Sequence, residues 1–82
     1  MEISTLEIEI CNFIKENLVA KNVEVVPASE LAGIGLDSFS LIEIVLFLER
    51  KFEIELPDEV LTPENIKTVS TISACALQHA EN

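Results

Sequence analysis

Between Gly35 and Pro57 the chain has neither glycine nor proline, and apolar residues recur through it at three- and four-residue spacing. That period belongs to a helix rather than a strand, and it fixes one from about Ser38 to Phe52. Leu41, Ile44, Val45, Leu48 and Phe52 form one stripe, expected to face inward. Phe39, Ile42 and Leu46 form a second stripe, and Glu43, Phe47 and Arg50 mark a third direction. The two glycines of the chain, Gly33 and Gly35, lie just ahead and allow a close-turning approach. Asp37 or Ser38 then supplies a side-chain oxygen at the helix start, with Ser40-x-x-Glu43 as a second capping signal one turn on. A serine hydroxyl is thereby offered at the positive end of a helix dipole, where a phosphate is well placed.

The rest of the chain reads as partners for that helix. Ser4-x-x-Glu7 has the form of a capping box, and Leu6, Ile10, Phe13, Ile14 and Leu18 make an apolar stripe. A first helix is predicted from about residue 4 to about residue 19. Ala20 to Leu36 is a long connection whose scattered hydrophobes, Val23, Val25, Val26, Leu31, Ile34 and Leu36, suggest pinning to the bundle. Val23 to Val26 alternates poorly and has no strong strand to pair with, so no sheet is expected. Pro57-Asp58-Glu59 and Thr62-Pro63-Glu64 each resemble a helix start, which leaves room for one short helix, over 57–61 or 63–66. Thr68 caps a last helix carrying Val69, Ile72, Cys75 and Ala76 and fraying near His79. The fold class is all-α: a single domain over 1–82, an up-down bundle of three main helices plus one short helix, with a long first loop.

Composition excludes several functions. Apolar residues make up 49% of the 82, which suffices for a core and argues against disorder. Fifteen acidic residues against five basic give a net charge of −10, so a nucleic-acid backbone would be repelled. No apolar run is long enough for a membrane span, and Met1-Glu2 lacks a signal peptide's positive start; a soluble, cytoplasmic monomer is expected. Cys11 and Cys75 are too few and too far apart for a disulfide framework, and both fall within helical patterns as small buried hydrophobes. Cys75-x-x-x-His79 with Cys11 would give three scattered ligands without a compact spacing, so no metal site is predicted. Hydrolase chemistry at Ser38 would need a nearby base, and the sole histidine, His79, lies in the last helix.

Gly35, Leu36, Asp37, Ser38 and Phe39 together resemble the attachment site of acyl and peptidyl carrier proteins. The resemblance continues through Glu43-Ile44-Val45, Glu49-Arg50-Lys51-Phe52, Ile54-Glu55-Leu56-Pro57-Asp58-Glu59 and Thr68-Val69. It implies that Ser38 carries 4′-phosphopantetheine taken from coenzyme A, and that Asp37 helps the transferase hold its metal ion. It also implies a recognition face at Phe39, Ile42, Glu43 and Leu46, to which Glu49 adds an acidic rim. The implied protein is not an enzyme. Its implied partners are a phosphopantetheinyl transferase, a loading ligase or acyltransferase, and downstream biosynthetic enzymes with basic docking patches. The arm's thioester raises the effective concentration of cargo at each of them.

Phe39 stands where carriers of primary fatty acid synthesis usually have leucine, and Arg50-Lys51 interrupts the acids of this helix. Thr62-Pro63-Glu64-Asn65 also departs from the usual acidic short helix. Phenylalanine at position 39 resembles stand-alone carriers of aminoacyl or specialised acyl units, including D-alanyl carriers. The rival reading is an unmodified acidic helical module that binds partners through the 38–52 helix.

Overall fold

The computed structural model describes residues 1–80. Helix α1 spans Ile3–Asn17, α2 spans Ser38–Phe52 and α3 spans Val69–Ala80. Two 3₁₀ turns, Ala32–Ile34 and Asp58–Val60, punctuate the connections. The all-α bundle is therefore as expected, with the short helix reduced to the 3₁₀ turn at Asp58–Val60 and a second such turn inside the first loop. Residues 63–66 form only a turn. The short connection holds instead through Asn65, whose Nδ2 donates to the Val60 carbonyl at 2.8 Å.

Helix α1 packs along α3 and against α2, and Leu6, Ile10 and Ile14 are fully buried between them. The helix starts two residues earlier than the Ser4-x-x-Glu7 signal implies. Glu2 is its N-cap without a side-chain bond, so the capping box does not form. Glu7 instead accepts a 2.9 Å hydrogen bond from Ser70 Oγ on α3. A tertiary partner outcompetes the local one, which is open to Glu7 because it lies on the side of α1 facing α3.

The first loop is pinned, as its hydrophobes suggest: Val25 and Leu31 are buried in the common core. Its backbone is tied to the approach to α3. Leu31 N–H donates to the Lys67 carbonyl at 2.9 Å, and Ser70 N–H donates to the Pro27 carbonyl at 2.9 Å. Glu30 and Thr68 form an isolated antiparallel bridge. Thr68 caps α3 as predicted, accepting from Thr71 N–H at 3.0 Å, while Thr71 Oγ1 accepts from Thr68 N–H at 2.9 Å. The helix runs to Ala80, the last described residue, and the His79 ring nitrogen Nδ1 lies 3.0 Å from the Cys75 carbonyl oxygen.

Helix α2 stops without a glycine. Glu53 takes the left-handed conformation (φ 57°), and its N–H returns to the Glu49 and Leu48 carbonyls. That conformation costs a non-glycine residue about 1–2 kcal/mol. Burial of the next alternate residues, Ile54 and Leu56, offsets it by drawing the chain inward over the bundle. The inward stripe of α2 is graded: Ile44 and Leu48 are fully buried, whereas Leu41, Val45 and Phe52 pack partly buried against the core. Phe47, in the third direction, stacks on Phe13 of α1 with ring centroids 4.4 Å apart and meets Phe52 edge-on at 6.2 Å. Beside that stack Lys51 pairs with Glu9 at 2.7 Å.

Candidate functional site

The approach to α2 is set by backbone geometry at one glycine. Gly35 has φ 90°, a region that a side chain would strain, and its N–H closes the 3₁₀ turn onto the Ala32 carbonyl. Gly33 has no such conformation, and a Cβ there would make only ordinary contact with Glu30. Of the two glycines, one is required by the turn. Leu36 N–H then donates to the Leu31 carbonyl at 3.0 Å, which fastens the loop end before the helix begins.

Asp37 resolves the capping alternatives. It is the N-cap, extended in backbone, and its Oδ1 accepts from Ser40 N–H at 3.0 Å and Ser40 Oγ at 3.2 Å. These bonds hold its carboxyl below the ordinary range, so Asp37 is charged at neutral pH. Ser40 is thus the cap's donor rather than a cap, and the Ser40-x-x-Glu43 signal is unused. Ser38, relieved of capping, is the first helical residue and exposed; among the described residues its hydroxyl makes no hydrogen bond.

Beside Ser38 a cleft of about 420 Å³ opens between the first loop, the start of α2 and residues 63–67. Leu31, Leu36, Leu41, Ile44, Pro63 and Ile66 give it an apolar floor. A hydroxyl free of internal partners, at a helix start and on the edge of an apolar cleft, fits a phosphate-linked, partly apolar arm. Glu30 and Lys67 stand at the polar edge. Spacing arguments gave no signal for either residue, because only the long-range pairing of 30 with 68 brings that strip to Ser38.

On the outer side, Phe39 is 79% exposed and Ile42 55%, while Leu46 is half-buried. Glu43 and Glu49 are exposed on opposite flanks. Glu43 borders a small hollow with Phe13, Phe47, Arg50 and Lys51, and Glu49 borders one with Val45, Glu55, Leu56 and Pro57. Arg50 is also exposed, one turn beyond Leu46, with no ion-pair partner among the described residues. Helical spacing places it on the edge of the Phe39–Ile42–Leu46 face as well as beside Phe47.

The other candidate groups lie apart from this site. Cys11 and Cys75 are free and buried, and burial pushes both thiols up from their ordinary value. No group of three or more metal-ligating side chains occurs among the described residues. Among the described residues no helix is long and apolar enough to cross a membrane.

Comparison with known proteins bears on this geometry. The profile of a family described as phosphopantetheine attachment site matches residues 9–76. An acyl carrier protein from Syntrophobacter fumaroxidans is 33% identical over 73 residues, 88% of this chain and 88% of its own length. Aminoacyl carrier protein 2 of Bradyrhizobium diazoefficiens is 33% identical over 64 residues, 78% of this chain and 70% of that protein. Among solved structures, a chain from a complex of Bradyrhizobium japonicum glycine:carrier protein ligase with glycylated carrier protein superposes with a TM-score of 0.70. Its identity is 25%, over 89% of this chain and 96% of that one.

Proposed function

This chain belongs to the phosphopantetheine attachment-site family of carrier proteins, and we propose that Ser38 is the residue that bears the arm. The carrier function follows from the family; the residue is inferred from the site. The observation that carries it is the free, exposed Ser38 hydroxyl at the start of α2, beside an N-cap that does not need it. When bound, the arm supplies a terminal thiol that holds acyl or aminoacyl cargo as a thioester. The protein's own residues present and orient. Asp37 fixes the first turn of α2 and keeps a charged carboxylate next to the hydroxyl, which suits the transferase's metal ion. Cys11 and Cys75, buried and with raised pKa, react slowly and so compete poorly with the arm's thiol for cargo. Two free thiols also suit a reducing compartment such as the cytoplasm.

Catalysis belongs to the partners. Among the described residues the carboxylate beside Ser38, that of Asp37, is committed to Ser40, and His79 is bound to its own helix. Phe39, Ile42 and Leu46, flanked by Glu43 and Glu49, form the docking face for a transferase and a loading enzyme with apolar sockets and basic rims. The aminoacyl carrier relative and the glycylated carrier complex favour an aminoacyl cargo. Incubation with coenzyme A and a broad-specificity phosphopantetheinyl transferase tests the attachment. The intact mass should rise by one phosphopantetheine, and Ser38→Ala should show no rise. Because Asp37 does the capping, that variant should lose less than about 0.5 kcal/mol of stability. An unmodified wild type beside a modified control carrier would support the unmodified interaction module instead.

A further inference from the structure

Attachment at Ser38 adds an anion to a chain of net charge −10, directly beside the charged Asp37 carboxylate. Repulsion there works against holding the phosphodiester in any one place. The cleft beside Ser38 carries a counterweight. Among its lining residues Lys67 is the one cation, and the acids that line it are Glu30 and Asp37. Asp37 is engaged with Ser40, and Lys67 has no ion-pair partner among the described residues. Its backbone is fixed, since its carbonyl accepts from Leu31 N–H at 2.9 Å and the next residue, Thr68, bridges to Glu30. An exposed, uncommitted ammonium on a backbone-fixed strip therefore belongs to a residue lining the same cleft as Ser38.

Resting on the attachment reading above, we propose that Lys67 is a positioning residue: it pairs with the phosphate linked to Ser38 and draws it to the cleft side of α2, away from Phe39 and Ile42. The chemistry suits the group. A lysine is a mobile point charge that follows a phosphate without demanding bidentate geometry. The pairing is partly screened at physiological salt and strongest when salt is low.

Phosphoserine installed at position 38 by genetic code expansion tests the pairing without any transferase. Its second ionisation, followed by phosphorus NMR at low salt, should lie about half a pH unit lower in the Lys67 protein than in Lys67→Gln, as a nearby cation favours the dianion. Lys67→Arg should restore the lower value, which loss of a merely structural contact would not do. Identical titrations in the three proteins overturn the proposal. In the enzymatically modified protein, the Lys67 ε-methylene should show a nuclear Overhauser contact to the arm's first methylene. Absence of that contact overturns the proposal for the natural linkage. If the transferase leaves Ser38 unmodified, the attachment reading falls, while the phosphoserine titration still decides for or against Lys67.

Discussion

Ile42 and Ile44 stand two residues apart on α2 and meet opposite surroundings. Ile44 is sealed in the core with Leu48, both at 0% exposure, whereas Ile42 is 55% exposed beside Phe39 at 79%. Two residues turn a helix by about 200°, so the same side chain serves packing on one face and lies open on the other. An exposed isoleucine alone means little, and Ile8 of α1 is 59% exposed as well. What separates Ile42 is its company: two further apolar side chains on the same strip, acids on both flanks, and Ser38 at the strip's end. The proposal of a docking face here therefore rests on grouping and position rather than on hydrophobicity alone.

The sharpest way to break the comparison is to truncate each face. Leu48→Ala or Ile44→Ala should cost about 2–5 kcal/mol, a large part of the stability of a domain this size. Phe52, only partly buried and held edge-on by Phe47, should cost less than a fully buried aromatic. Thermal melts measure all three. If Leu48→Ala melts near wild type, the inward face is not the core.

Truncation on the other face comes next in size. Ile42→Ala and Leu46→Ala should change stability by less than about 1 kcal/mol, while slowing phosphopantetheine transfer or loading about fivefold or more. Ile8→Ala is the control, being equally exposed but on another helix, and should leave both rates alone. Equal effects of Ile8→Ala and Ile42→Ala would remove the distinction between a scattered hydrophobe and a docking one.

The two faces were legible in the sequence because one helix carries them and its period is strict. Its end at Phe52 was legible as the last residue of the inward stripe, whereas the left-handed turn at Glu53 that makes the end had no glycine to announce it. What the sequence hid were pairings across the chain. Glu7 looked like a capping partner for Ser4 and bonds Ser70 instead. Phe47 gave no sign that it stacks on Phe13, and nothing local placed Glu30 and Lys67 beside Ser38. Asp37 and Ser38 were equivalent caps on paper, since both offer an oxygen at the right place. The structure separates them through the Ser40 amide, which Asp37 takes.

That separation predicts a smaller, pH-dependent effect at the point where both faces begin. The folded-state pKa of Asp37 is depressed by its bonds to Ser40, so its contribution is present above the unfolded value and lost as pH falls through the folded one. Destabilisation should therefore set in below the ordinary value of 3.8 and loosen the first turn of α2. Asp37→Asn keeps a good N-cap but removes the titration. Amide exchange at Ser40 should accelerate in acid beyond the intrinsic pH trend in the wild type and follow that trend in the variant. Matching acid dependence in both would show that the cap's charge is immaterial.

The smallest effects belong to the charges around the docking strip, and they sharpen the comparison most finely. Glu43, Glu49 and Arg50 are exposed, so reversing any of them should leave the melting temperature nearly unchanged. Exposed charges act on encounter, over a range of about 8 Å at physiological ionic strength. Glu43→Lys and Glu49→Lys should each slow transfer by a few-fold at low salt, with the difference fading as salt is raised. Arg50→Glu separates two kinds of partner surface. A socket with a uniformly basic rim should accept that variant faster than wild type. A socket with a carboxylate facing the end of the strip should accept it more slowly, because Arg50 then loses its counterpart. Initial rates across a salt series, taken with the transferase and with a glycine:carrier protein ligase, distinguish these outcomes enzyme by enzyme. If neither enzyme responds to any of the three reversals, recognition does not run through this face, and the exposure of Ile42 has no more meaning than that of Ile8.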